Sequence, residues 1–154
     1  MNNITLIAVG ALKNKALQTL AADYEKRIAP YARFKLIETS ASPFGKNDKN
    51  RSKRQENEVI EKVVHKLPKA DIFLLAEKGN VFDSPSFASF LNEYDGRDLV
   101  LVIGGALGWE EEFRKRYKCI SLSTLTFPHE LARVVLLEQI YRGLLINAGK
   151  DYHY

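Results

Sequence analysis

The chain has only one cysteine among its 154 residues, so no disulfide can form within it. Cys119 lies in the mostly apolar run of residues 117–122, where we expect it to be a small core residue. No stretch approaches the roughly 18 uninterrupted apolar residues that a membrane-spanning helix needs. The first residues also lack the basic and apolar regions of a signal peptide. We therefore expect a soluble protein of the reducing cytoplasm.

Metal-binding and common nucleotide-binding signatures are missing as well. His65, His129 and His153 show no ligand spacing, which with a single cysteine argues against a zinc site. The chain contains no Walker-type glycine loop, and residues 104–108 read G-G-x-x-G rather than the dinucleotide fingerprint G-x-G-x-x-G. Two alternatives remain for these glycines: close approach of the main chain to a flat ligand, or a plain turn from strand to helix.

The composition predicts one folded domain over residues 1–154. A hydrophobic content of 45% supports a buried core, and the 27% of charged residues does not suggest disorder. The formal net charge is +4 and the isoelectric point is about 9.1. Such an excess is compatible with a polyanion partner such as RNA, although many globular proteins have a similar charge without one.

Predicted strands and helices alternate along the whole chain. Short, mostly apolar runs predict strands over residues 4–9, 71–76, 99–103 and 118–122, and a further strand starts with residues 35–38. Apolar residues at helical spacing predict helices over residues 15–28, 52–67, 84–91, 110–116 and 128–147, with a loop over residues 40–51. Strands that are apolar throughout are typical of a parallel sheet with both faces covered. The predicted class is therefore α/β, with three layers and about five or six strands.

Ligands in such sheets bind outside the carboxyl ends of the strands. That rule places Leu75, the pair Gly104-Gly105 and the segment after the last strand on one rim. This segment consists of Leu122, Ser123, Thr124, Leu125, Thr126 and Phe127. Hydroxyls, free main-chain groups and apolar side chains in one loop suit a purine ring. The alternative is that the hydroxyls cap the helix that follows.

The last predicted helix is apolar around most of its circumference, since residues 134–137 are four consecutive apolar residues. One side can face the sheet, and the other needs a cover. A second copy of the chain is the simplest cover, so we expect a homodimer. A helix buried deeply within one chain is the alternative.

These segments together resemble one family, the small SPOUT-class methyltransferases that modify pseudouridine at N3 in 23S ribosomal RNA. The resemblance covers nearly the whole chain. It rests on these ordered pieces: residues 6–10, 45–47, 95–98, 103–105, 121–123, 125–126, 128–129, 133–134, 138–139, 141–142 and 152–153. It implies a trefoil-knotted domain and a homodimer with the active site at its interface. It also implies S-adenosylmethionine as cofactor, held by Leu75, Gly104, Gly105 and the loop of residues 122–127.

The methyl acceptor in this family is a ring nitrogen that must lose a proton, so a cation should stabilise the developing charge. Arg142 is the expected stabiliser, and His153 is a candidate base. Tyr152 would stack on or hydrogen-bond the base, and His129 would orient the substrate or simply complete its helix. A further set of basic residues is expected to contact phosphate, or else forms a solvated charged face: Lys46, Lys49, Arg51 and Lys53.

The chain departs from the family pattern in two places. Ala106-Leu107 replaces the usual Pro-Glu after the double glycine, and Gly149-Lys150-Asp151 precedes the terminal Tyr-His pair. The first change bears on the affinity for the cofactor, and the second on the choice of target. Two other functions therefore stay open: an RNA-binding protein without catalysis, and a methyltransferase of another RNA such as transfer RNA.

Overall fold

In a computed structural model that describes residues 1–43 and 48–152, helices alternate with strands as the sequence predicts. The strands of this part are β1 (Asn2–Val9), β2 (Ala32–Thr39), β3 (Asp71–Val81), β4 (Asp98–Ile103) and β5 (Lys118–Ser121). The helices are α1 (Lys15–Ile28), α2 (Lys49–Val64), α3 (Ser84–Glu93), α4 (Glu111–Arg114) and α5 (His129–Asn147). Lys46 and His153, for which roles were predicted, lie outside the described residues.

The strands form one sheet in the order β2-β1-β4-β3-β5, and every pairing is parallel. Leu74 of β3 stands opposite Val102 of β4 on one side and Cys119 of β5 on the other. The carboxyl ends of β4, β3 and β5 therefore lie side by side. The loops that follow these three strands converge at one edge of the sheet, as predicted.

Helices cover both faces of the sheet and complete the predicted three layers. Successive residues of a strand point to opposite faces, and the cores divide accordingly. Leu6 packs in the core formed with α1, α3 and α5, whereas Ile7 packs in the core formed with α2 and α4. Both side chains are fully buried. The α/β class is confirmed, and the trefoil knot stays a prediction.

Several predicted boundaries are wrong. β2 begins at Ala32 rather than residue 35, because Ala32 already pairs with Asn2 of β1. α2 begins at Lys49, inside the predicted loop of residues 40–51, and its Ser52 hydroxyl donates to the carbonyl of Pro43 at 2.8 Å. α2 also ends at Val64 instead of residue 67. Leu67 precedes Pro68, and a residue before a proline is disfavoured in the helical conformation.

β3 continues five residues beyond its predicted end at residue 76, through an irregular stretch. Ile120 of β5 pairs both with Leu75 and with Asn80, so residues 76–79 project from the ladder. A Cβ on Gly79 would lie 2.5 Å from the carbonyl carbon of Ile120, so only glycine fits there. Glu77 and Lys78 look like loop residues in the sequence. No local pattern predicts that the strand resumes after them, because its pairing partner lies in β5.

α5 lies against α1 and α3, and most of its apolar circumference is covered within the chain. Val134, Leu136, Leu137 and Ile140 are all buried. This packing matches the deeply buried single-chain helix that was the alternative explanation of its pattern. Leu131 remains 38% exposed. The apolar pattern of α5 therefore does not require a homodimer, because α1 and α3 already cover this helix.

Arg133 anchors the beginning of α5 to the carboxyl end of the sheet. Its side chain is 4% exposed, and its guanidinium donates to Glu38 at 2.7 Å and to the carbonyl of Gly10 at 2.6 Å. We expect Arg133→Ala to lower the free energy of unfolding by about 2 kcal/mol, because two charge-assisted hydrogen bonds are lost. Urea unfolding followed by circular dichroism measures this change.

The matched control is Glu38→Gln, which keeps an acceptor for the guanidinium on a side chain that is 40% exposed. It should cost less than half as much as Arg133→Ala. Equal losses for the two variants would contradict the role of the Gly10 contact.

Within the part of the chain that the structure describes, no helix is both long and apolar enough to cross a membrane. The same residues contain no cluster of three or more metal-ligating side chains. Cys119 is free and half-buried, and it packs against the core formed with α2 and α4, as expected of a small core residue.

Candidate active site

A cavity of about 820 Å³ lies at the edge where β3, β4 and β5 end. It is lined by these predicted cofactor residues: Leu75, Gly104, Gly105, Leu122, Ser123, Leu125, Thr126 and Phe127. Thr124 is exposed and is not among the lining residues. The structure therefore brings together the loops after three adjacent strands, although they are far apart in the sequence.

The loop after β5 is held by its own hydroxyls. Ser121 Oγ donates to the carbonyl of Ser123 at 2.8 Å, and the amide of Leu125 donates to Ser123 Oγ at 3.0 Å. Thr126 Oγ1 donates to Glu77 at 2.7 Å, which ties this loop to the irregular part of β3. α5 begins after Pro128 without a side-chain cap. The alternative that these hydroxyls cap the following helix is therefore wrong.

The turn after β4 closes even though its sequence departs from the family. The amide of Gly108 donates to the carbonyl of Gly105 at 3.0 Å, which places Ala106 and Leu107 at the two central positions of the turn. Gly108 has φ of +72°, a conformation that favours glycine. A hydrogen-bonded turn thus forms without the rigid proline, and the altered pair does not leave this loop open.

Sequence reasoning missed several residues that line the cavity. They are Glu77, Lys78, Trp109, Glu111 and Arg114. Trp109 was available as a signal, since it is the single tryptophan of the chain and directly follows Gly108. Glu77 and Lys78 reach the cavity only because β3 continues past its predicted end.

His129 also lines the cavity, at the first turn of α5. Its neighbour Glu130 accepts hydrogen bonds from the amides of Lys13 and Asn14, at 2.5 and 3.2 Å. These backbone donors lower the pKa of Glu130 below its ordinary value. The beginning of α5, and His129 with it, is thereby attached to the segment that precedes α1.

Arg142 and Tyr152 lie away from this cavity in the same chain. Arg142 follows His129 by 13 residues on one helix, which separates their Cα atoms by about 20 Å at 1.5 Å per residue. Two nitrogens of Arg142 donate to Glu138 at 2.9 and 2.6 Å. Hydrogen bonding by Glu138 raises the pKa of Arg142, so the guanidinium stays charged. Because both residues lie on one long helix, this separation follows from their spacing in the sequence.

Arg142 also holds the tail. Its third nitrogen donates to the carbonyl of Tyr152 at 3.0 Å, and the guanidinium lies 5.0 Å from the centre of the Tyr152 ring. That ring packs edge-on against Tyr141 at 5.2 Å. Tyr24 and Tyr31 contact Tyr141 in turn, at 6.2 and 6.3 Å. The tail is therefore attached to the body of the protein at least as far as Tyr152.

The altered residues before the terminal pair explain this path. Gly149 has φ of +71° and ends α5, with the amide of Lys150 donating to the carbonyl of Leu145 at 2.9 Å. The ammonium of Lys150 donates to the Tyr31 hydroxyl at 2.7 Å. The sequence Gly149-Lys150-Asp151 thus forms a helix end that directs the chain back toward Arg142.

The basic residues of α2 are not among those that line the cavity. Lys49 and Arg51 are exposed at the start of this helix. The same helix carries Glu56, which is 4% exposed and lies directly behind Gly105. A Cβ on Gly105 would be 2.6 Å from Glu56 Oε1. α2 therefore contacts the turn after β4 through Glu56, about two helical turns beyond its basic start.

The profile of a family described as predicted SPOUT methyltransferases matches residues 2–153. Three curated relatives carry the name ribosomal RNA large subunit methyltransferase H. The relative from Pelobacter propionicus is 37% identical, over 98% of this chain and 99% of that protein. The relative from Flavobacterium johnsoniae is 40% identical over 99% of each chain, and that from Clostridium tetani is 38% identical over 98% and 99%.

A solved structure, the crystal structure of TrmJ from Z. mobilis ZM4, superposes with a TM-score of 0.49 and 10% identity. It covers 93% of this chain and 70% of that one, a likeness too weak to bear on the assignment. The profile match and the identity to full-length relatives are sufficient by themselves to assign the family. This chain belongs to the SPOUT methyltransferase family.

Proposed function

We propose that this protein transfers a methyl group from S-adenosylmethionine to N3 of a pseudouridine in 23S ribosomal RNA of the large subunit. The observation that carries the proposal is the end-to-end similarity to proteins named ribosomal RNA large subunit methyltransferase H. The net charge of +4 is compatible with an RNA substrate. A ribosomal substrate would also put the activity in the cytoplasm.

The cavity suits S-adenosylmethionine in size and chemistry. Its volume of about 820 Å³ lies within the roughly 300–1,000 Å³ typical of small-ligand sites. Leu75, Leu122 and Phe127 offer apolar contact to a flat base, and Gly104 leaves its main chain accessible. S-adenosylmethionine would supply an electrophilic methyl group on its sulfonium. Positioning of donor and acceptor is the main task left to the protein.

The remaining predicted residues would act on the acceptor. Arg142 stays cationic and would stabilise the negative charge that develops on the base as its ring nitrogen loses a proton. Tyr152 would stack on the base, and His153 would receive the proton. His129, at the cavity wall, would orient the acceptor ring toward the donor site.

A second copy of the chain would unite these two groups. Within one chain about 15 Å of helix separates Arg142 from Ala132, which lines the cavity, and this is too far for one nucleotide to reach both. An apolar groove beside the cavity provides a surface for the partner, with Phe82, Leu122 and Val135 among its residues. We therefore propose a homodimer in which each active site combines the cavity of one chain with the tail of the other.

Calorimetric titration with S-adenosylmethionine tests the first requirement of this function. The account predicts saturable binding at one site per chain. Absence of binding would favour the RNA-binding protein without catalysis. The closed turn at Ala106-Leu107 is the reason to expect that donor binding is retained.

A further inference from the structure

Trp109 connects the ends of two strands at the cavity. Its indole Nε1 donates to the carbonyl of Leu75, at the end of the regular part of β3, at 2.7 Å. The same ring lies against Gly104, the first residue after β4: a Cβ there would be 3.1 Å from two ring carbons. One side chain thus fixes the distance between two of the three loops that form the cavity.

The position of Trp109 is itself fixed from behind. Its ring stacks on Phe113 of α4 with centroids 5.6 Å apart and planes 19° from parallel, and Phe113 is 2% exposed. The turn closed by Gly108 directs the chain back toward Gly104. An indole held by a hydrogen bond, a stacked ring and a glycine contact has little freedom to move.

We infer that Trp109 is a positioning residue for the methyl donor, which keeps the Leu75 and Gly104 main chains at the separation that the donor requires. This inference rests on the proposed function. A loop held in its binding geometry before the ligand arrives binds more tightly, because less ordering is needed on binding. Replacing Trp109 should therefore weaken the affinity for the donor, with little effect on the affinity for RNA or on the rate of the chemical step.

The test compares Trp109→Phe, which keeps an aromatic ring but loses the N–H donor, with the wild-type chain. We expect its Kd and KM for S-adenosylmethionine to rise about five- to tenfold, from the loss of one partly buried hydrogen bond. The kcat at saturating donor and the KM for ribosomal RNA should stay within about twofold. Calorimetry supplies the Kd independently of activity. An unchanged Kd, or an equal loss in kcat, would overturn the inference.

Tyr117→Leu is the matched control. Tyr117 continues the same aromatic row, 5.2 Å from Phe113, but it does not line the cavity. Its replacement should lower the melting temperature and leave the Kd for the donor unchanged. If Tyr117→Leu weakens donor binding as much as Trp109→Phe, then general destabilisation explains both, and Trp109 has no special role.

Gly104→Ala gives a second variant that does not depend on the folding of Trp109→Phe. The added methyl group would press on the indole at 3.1 Å, so the ring or the turn must shift. Donor affinity should fall in this variant too, and unchanged affinity would contradict the inference. Because Trp109 is the single tryptophan, its fluorescence should also change with donor occupancy in the wild-type chain.

Failure of this inference and failure of the proposed function give different results. If the wild-type chain binds no donor, the proposed function fails. If the wild-type chain binds the donor and Trp109→Phe binds it equally well, then only the inference about Trp109 fails.

Discussion

Arg142→Ala is expected to lower kcat for methyl transfer about 100- to 1,000-fold, the usual consequence of removing a group that stabilises developing charge. The Kd for S-adenosylmethionine should stay within about twofold, because Arg142 does not line the cavity. Single-turnover kinetics with saturating donor and ribosomes as acceptor measure the chemical step. An unchanged rate would exclude Arg142 from the chemistry.

Arg142 also holds the tail, so its charge and its structural contact must be separated. Glu138→Gln removes the carboxylate that pairs with Arg142 and leaves the guanidinium in place. We expect kcat to fall less than tenfold in this variant, because the glutamine still offers the guanidinium one neutral hydrogen-bond acceptor. Arg27→Ala is the matched control, since Arg27 is a cation near Tyr24 and Tyr141 that does not contact Tyr152. Its activity should equal that of the wild-type chain.

Mixing two inactive variants is expected to restore methyl transfer. Gly104→Val crowds the cavity against Trp109, and Arg142→Ala removes the charge stabiliser at the other end of α5. If each active site uses the cavity of one chain and Arg142 of the other, a mixed dimer contains one intact site. Equal amounts of freely exchanging chains should then give about a quarter of the wild-type rate, because half of the dimers are mixed.

This experiment distinguishes a shared site from two separate ones. If cavity and Arg142 acted within the same chain, every chain in the mixture would carry a defect, and no rate would return. Size-exclusion chromatography with light scattering should show a dimer for each variant alone and for the mixture. A monomer that retains full activity would contradict the shared site directly.

The layers of the fold were predictable because they depend on local apolar patterns. Residues 4–9 are apolar except for Thr5, as in a strand covered on both faces, and the sheet is parallel as that pattern predicts. The irregularity in β3 was not predictable, since it depends on Ile120 pairing twice across the ladder. The cover of α5 was not predictable, because its apolar pattern does not distinguish a partner chain from α1 and α3.

The candidate site was predictable only in part, for a similar reason. Strand ends placed Leu75, Gly104 and the loop after β5 on one rim, and the cavity lies there. The hydrogen bond from Trp109 to Leu75 joins residues 34 apart in the sequence, so no local pattern reveals it. The distance between the cavity and Arg142 follows from the uninterrupted length of α5. That length alone does not tell whether Arg142 serves the cavity of its own chain or that of a partner.

The most direct test is incubation of the protein with methyl-labelled S-adenosylmethionine and, separately, ribosomes, large subunits, 23S RNA or transfer RNA, followed by mapping of the labelled base. The account predicts label at N3 of a pseudouridine in 23S RNA, and a greater than 100-fold smaller signal with Arg142→Ala. Label in transfer RNA would contradict the proposed target. Label in no RNA, with donor binding intact, would contradict the proposed catalysis.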